Sequence, residues 1–151
     1  MGIKKTSLKL NDLDKATKNA LKNCIKELKT KPYVVGIYLF GSHAKRKTHK
    51  LSDVDIAIVT KEISYKQRNR IKLYLYSFST DRLDVSWFNE LPAYIQKEVL
   101  CNGKLIFVKD RFKLAEITSK HIKIAIEFEN RAKKIDTRII DKYNKYHNKY
   151  K

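Results

Sequence analysis

A chain of 151 residues is long enough for one domain that buries about two-thirds of the surface its unfolded form exposes, and too short for a second full one. Lys and Arg number 34 against 16 Asp and Glu, a formal net charge of +18 that points to nucleotides, nucleic acid or an acidic protein as partner, and that equally fits a lysine-rich solvated surface. Two cysteines without a pair spacing, Cys24 and Cys101, exclude a zinc knuckle, no run approaches the roughly 18 apolar residues of a membrane span, and the charged N-terminus lacks a signal-peptide core, so the protein reads as cytoplasmic.

The first predicted element is a helix within residues 1–32. Leu13, Ala16, Ala20, Leu21, Cys24, Ile25 and Leu28 recur at steps of three and four, and Lys31-Pro32 stops the pattern. Residues 33–110 then carry a core of alternating strands and helices. "YVVGIYLF", Tyr33 to Phe40, is a β-branched and aromatic run ended by Gly41, which predicts a buried strand. Residues 42–50 hold at most two helical turns, and "SDVDIAIV" predicts a second strand. A helix follows from Tyr65 to Phe78, with Ile71, Tyr74, Leu75 and Phe78 on its inner side.

In "RLDVSWF", Arg82 to Phe88, the residues Leu83, Val85 and Trp87 face one way and Arg82, Asp84 and Ser86 the other, which predicts a third strand. Leu91-Pro92 opens a further helix with Pro92 in its first turn, and Asn102-Gly103 caps it. "KLIFV" is a short fourth strand. Over 111–151 the residues Leu114, Ile117, His121, Ile124, Phe128, Ala132, Ile135 and Ile139 keep a helical period. This predicts a long helix packed back on the domain and ending in a basic tail. The fold class is α/β of the α+β kind, a small mixed sheet of about four strands flanked by helices.

The chemistry concentrates around "LFGSHAKRKTHKLSDVDIAIV", Leu39 to Val59. Ten residues between Ser42 and Asp53 cannot hold a parallel crossover, so the first two strands are antiparallel neighbours. Gly41-Ser42 and Asp53 with Asp55 then converge on one edge of the sheet. Asp53 and Asp55 are two apart on a strand, so both project from one face, and two carboxylates with water and phosphate suit Mg²⁺. If the third strand lies beside the second, Asp84 completes a set able to hold two ions roughly 3.5–4 Å apart.

Three such like charges repel unless a cation sits among them. The structural alternative is that Asp53 caps a turn and Asp84 pairs with Arg82 or a nearby lysine. Gly41 lets phosphate oxygens approach the backbone, Ser42 can cap the following turn, and Lys45, Arg46, Lys47 and Lys50 can reach phosphates or stay solvated. His43 and His49 read as loop residues and His121 as a packing residue. In the tail Tyr143, Tyr146 and Tyr150 alternate with Lys142, Lys145 and Lys149, which suits a partner surface or a solvated helix end.

At these residues the sequence resembles the nucleotidyltransferases of the DNA polymerase β-like superfamily, whose signature is Gly-Ser, a spacer, Asp-x-Asp and a later third Asp. Gly41, Ser42, Asp53, Asp55 and Asp84 match it. The short spacer and small size resemble the minimal nucleotidyltransferase (MNT) antitoxins of HEPN/MNT toxin–antitoxin pairs. The likeness runs from about Tyr33 to Lys109 and departs from the pattern after Gly-Ser, where His43, Lys45 and Arg46 stand in place of the arginines often found there.

The resemblance implies a polymerase β-like fold, Mg²⁺ held by Asp53, Asp55 and Asp84, ATP as substrate, and a HEPN ribonuclease toxin as partner, silenced by transfer of AMP to a tyrosine. The other readings are nucleotidyl transfer to a small molecule or an RNA end, and a non-catalytic antitoxin or RNA-binding protein that works by contact.

Overall fold

The computed structural model describes residues 13–41 and 53–148. The chain order is α1 (Lys15–Lys29), β1 (Val34–Phe40), β2 (Val54–Thr60), α2 (Tyr65–Tyr76), β3 (Leu83–Trp87), a one-turn 3-10 helix (Phe88–Glu90), α3 (Ala93–Asn102), β4 (Lys104–Val108) and α4 (Arg111–Asn148). The four strands form one mixed sheet in the order β3-β2-β1-β4. As the short spacer required, β1 and β2 are antiparallel, and β4 adds antiparallel on the other side of β1. Strand β3 lies beside β2 and parallel to it, with α2 as the crossover.

Strand alternation divides the interior. Val54, Ile56 and Ile58 of β2 join Ile37, Leu39, Leu83, Val85 and Trp87 on the face covered by α1 and α2. The opposite face gathers Val35, Ala57, Val59, Phe88 and Val99 with Leu114 under α3 and the start of α4. Helix α1 is anchored at its N-cap, where the Asp14 carboxylate accepts from Thr17 N at 3.1 Å and from Thr17 Oγ1 at 2.6 Å. Its buried stripe is Thr17, Leu21, Cys24 and Leu28. Burial pushes the Cys24 thiol up to about 12, which keeps it an inert core group.

The C-terminal ends of β2 and β3 are locked by polar groups. Trp87 Nε1 donates to Thr60 Oγ1 at 2.8 Å, Thr60 N donates to Asn89 Oδ1, and Asn89 Nδ2 donates back to Thr60 O, both at 3.0 Å. Gln96 Nε2 donates to Phe88 O at 2.9 Å and joins α3 to the same corner. Among the described residues no buried side-chain N or O lacks a hydrogen-bond partner.

Two expectations are corrected, at the start of α3 and along α4. Pro92 is the N-cap of α3 with ψ 147, and the helix starts one residue later. Gly103 caps α3 as expected, at φ −72, and the glycine is needed there for space: a Cβ would collide with Val99 O and lie 3.1 Å from Leu39 O. The long helix α4 packs back only in part. Leu114 and Ala125 are buried and His121 is half-buried, whereas Ile124, Phe128, Ile135 and Ile139 of the predicted stripe are 58, 59, 49 and 60% exposed. The domain beneath is too small to cover a helix of 38 residues, about 57 Å long. Among the described residues no helix is long and apolar enough to cross a membrane.

Candidate active site

The site starts where β1 ends. Gly41 has φ 71, a left-handed backbone that side-chain-bearing residues rarely adopt. A Cβ there would also collide with Asp55 Oδ2 and lie 3.2 Å from Asp55 Cγ. Glycine is therefore required twice, once by the turn and once by the carboxylate of the next strand. Sequence reasoning assigned Gly41 to the turn and to phosphate access, and the close approach of Asp55 is the part that only the structure supplies.

Register does the rest. Phe40 of β1 pairs with Asp55 of β2, and Asp55 pairs with Asp84 of β3, so the three form one row across the sheet. Neighbouring strands lie about 4.8 Å apart, which starts the Asp55 and Asp84 side chains within reach of a single shared cation. Asp53 directly precedes β2 and stands about 7 Å back along the strand on the same face. Asp53 and Asp84 are exposed and Asp55 is half-buried, on the face that continues into Ala57 and Val59.

Among the described residues no three His, Cys, Asp or Glu side chains are gathered closely enough to hold a metal ion as they stand. What the fold fixes is the backbone placement of three hard oxygen donors around one strand end. That donor set, with Gly41 clearing the space beside Asp55, is the chemistry Mg²⁺ accepts while keeping positions for water and phosphate.

Of the phosphate-binding expectations, Gly41 is at the site, whereas Ser42, Lys45 and Arg46 lie outside the described residues, as do His43, Lys47, His49 and Lys50. Arg82, the alternative partner for Asp84, donates through Nη1 to Asp14 at 2.9 Å and ties β3 to the start of α1. The Thr17 hydrogen bonds, with help from Arg82, hold the Asp14 carboxyl below its usual range. His121 stacks edge-on against Phe88 with ring centroids 5.2 Å apart, and burial pushes its pKa down, which is a packing role.

Sequence reasoning missed Phe40, treated as an ordinary strand residue although it heads the acidic row. The available signal was the antiparallel pairing itself: the residue before the turn must face the start of the returning strand.

Comparisons with known proteins place the chain in a family and agree with its fold. Residues 22–112 match the family described as Polymerase beta, Nucleotidyltransferase. A candidate protein adenylyltransferase of Methanocaldococcus jannaschii is 38% identical over 98 residues, 65% of this chain and 75% of that one. Among solved structures, a toxin–antitoxin crystal structure with AMP-PNP is 20% identical at a TM-score of 0.53, covering 82% of this chain and 95% of that one. A candidate nucleotidyltransferase from Sulfolobus solfataricus is 20% identical at a TM-score of 0.50, covering 73% and 96%. At such identities the two structures speak to the fold.

Proposed function

The chain belongs to the polymerase β nucleotidyltransferase family, and from that premise we propose a Mg²⁺-dependent antitoxin that transfers AMP from ATP to a tyrosine of a HEPN-type toxin. The observation that carries this reading is the row in which Asp55 and Asp84 stand side by side with Gly41 cleared beneath Asp55. The relative's name supports adenylyl transfer to a protein, and the neighbour with AMP-PNP supports an adenine nucleotide and a toxin partner. On this reading the protein works in the cytoplasm, where ATP is at hand. The working unit is one nucleotidyltransferase domain, its core at residues 33–110.

Asp53, Asp55 and Asp84 would hold the Mg²⁺, two ions in this reading, and the metal would supply charge neutralisation for the triphosphate and a lowered pKa for the attacking hydroxyl. The chain's own residues position and exclude. Gly41 keeps the backbone thin where the phosphates enter, and Ser42, Lys45 and Arg46 on the following segment contact them. Asp55, half-buried, is the fixed member of the set, and exposed Asp84 faces the acceptor and accepts its proton.

The test incubates the purified chain with Mg²⁺ and α-labelled ATP, with and without the protein encoded beside it. Label on the neighbour, lost in Asp53→Asn and mapped to tyrosine, is the expected result. No label on any protein across all four nucleotides would sink protein adenylylation and leave a small-molecule or RNA acceptor, or action by contact.

A further inference from the structure

The Lys97–Glu129 ion pair ties α4 to α3. From Lys133 to Lys142 every residue of the helix is exposed. The apolar stripe does not stop there. Ile124, Phe128, Ile135 and Ile139 follow one another at spacings of four, seven and four, and each is about half exposed or more. A helix that needed only solubility would carry polar residues at these positions, and isoleucine is a poor choice for a solvated helix face. An exposed apolar strip of this length marks a surface that another protein covers.

Charge selects the occupant. Arg131, Arg138 and Lys142 interleave with Ile135 and Ile139 at three- and four-residue steps and form a basic rail along one side of the stripe. From Arg131 to Lys145 six basic residues face two acidic ones, Asp136 and Asp141, a net +4 within a chain of net +18. Two copies of such a segment repel, and the chain's N-terminal residues, which carry Lys4, Lys5 and Lys9, bring the same sign.

We propose that the overhanging half of α4 is the docking helix for the acceptor protein, and that it seats Phe128, Ile135 and Ile139 in an apolar groove edged by Asp and Glu. This rests on the protein-acceptor reading above and adds to it the surface by which the acceptor is recognised. The mode is helix-in-groove, with apolar anchors for affinity and the basic rail for orientation and rate of encounter. Nucleic acid would take the lysines and leave the isoleucines in water.

The experiment measures affinity between the full chain and the protein encoded beside it, by calorimetry at low and high salt, together with sedimentation of the chain alone. The double substitution Ile135→Glu with Ile139→Glu lies on an exposed stretch outside both cores, so folding is expected to hold. It should weaken the complex by about 100-fold or more, as loss of central anchors does. Ile135→Leu with Ile139→Leu should bind like the parent, as should Asp53→Asn, and binding should weaken with salt.

Undiminished binding by the glutamate variant would overturn the proposal, and so would no binding by the parent chain. A parent dimer abolished by the same substitutions would reassign the face to a second copy. Binding of a single-stranded RNA lost in the glutamate variant would reassign it to nucleic acid. A complex that forms through the helix yet never carries label upholds the docking surface and defeats adenylyl transfer alone.

Discussion

The two ends of the β2–β3 pair spend their polar groups in opposite ways. At the C-terminal end Thr60, Trp87, Asn89 and Gln96 close on one another and on backbone atoms. At the N-terminal end Asp53, Asp55 and Asp84 line up in register, two of them exposed. The same two strands thus contain a structural polar cluster at one end and, at the other, the carboxylate row on which the proposed function rests. On that proposal stability and function are separated by the length of a strand, and substitutions at each end should separate them too.

The largest effect is expected at the open end. Asp53→Asn or Asp55→Asn should lower nucleotide transfer at least about 1,000-fold, roughly 4 kcal/mol of transition-state stabilisation, with a melting temperature near the parent's. Label transfer and a thermal melt check both halves. At the closed end the pattern should reverse. Thr60→Val leaves the buried Trp87 N–H without its acceptor and should cost about 2 kcal/mol of stability in a denaturant titration, with transfer per folded molecule unchanged.

Gly41→Ala sharpens the contrast because it touches both properties. It should cost about 1 kcal/mol through the left-handed φ and reduce transfer about tenfold by displacing Asp55, which crystallography of the variant would show directly.

The smallest effect lies outside both ends. Hydrogen bonds from Lys133 and Lys97 lower the Glu129 carboxyl from 4.5 to about 2. Its contribution to the α3–α4 contact is therefore complete above pH 4.5 and lost as pH falls through about 2. Amide protection on α4, taken relative to the intrinsic exchange rate at each pH, should fall across that window in the parent and change less in Glu129→Gln.

What could be read from the sequence follows from the range of the physics involved. Strand β3 was legible because Leu83, Val85 and Trp87 alternate strictly with Asp84 and Ser86, and the antiparallel β1–β2 pair because ten residues leave no other route. The acidic row needed one conditional step, the adjacency of β3 to β2, which no local pattern specifies and the fold supplies. Gly103 and Pro92 were placed near the correct boundary for incomplete reasons, since a close approach of Val99 O and Leu39 O cannot be seen along the chain. The distal half of α4 misled for a related reason. Periodicity reports that a stripe exists, and only tertiary structure reports whether the molecule itself covers it.

The parallel pairing of β2 with β3 has a kinetic corollary. Asp55 and Asp84 are direct neighbours across the sheet although α2 and its flanking loops separate them in the chain. Bringing them together means closing that crossover, a non-local step that comes late and slowly compared with helix formation. No fragment ending before β3 contains the complete acidic set, so the site matures with the global fold. If the proposed site is the acidic row, return of nucleotide transfer during refolding is a clock for β3 docking, and a molecule in which β3 has not docked lacks the complete row.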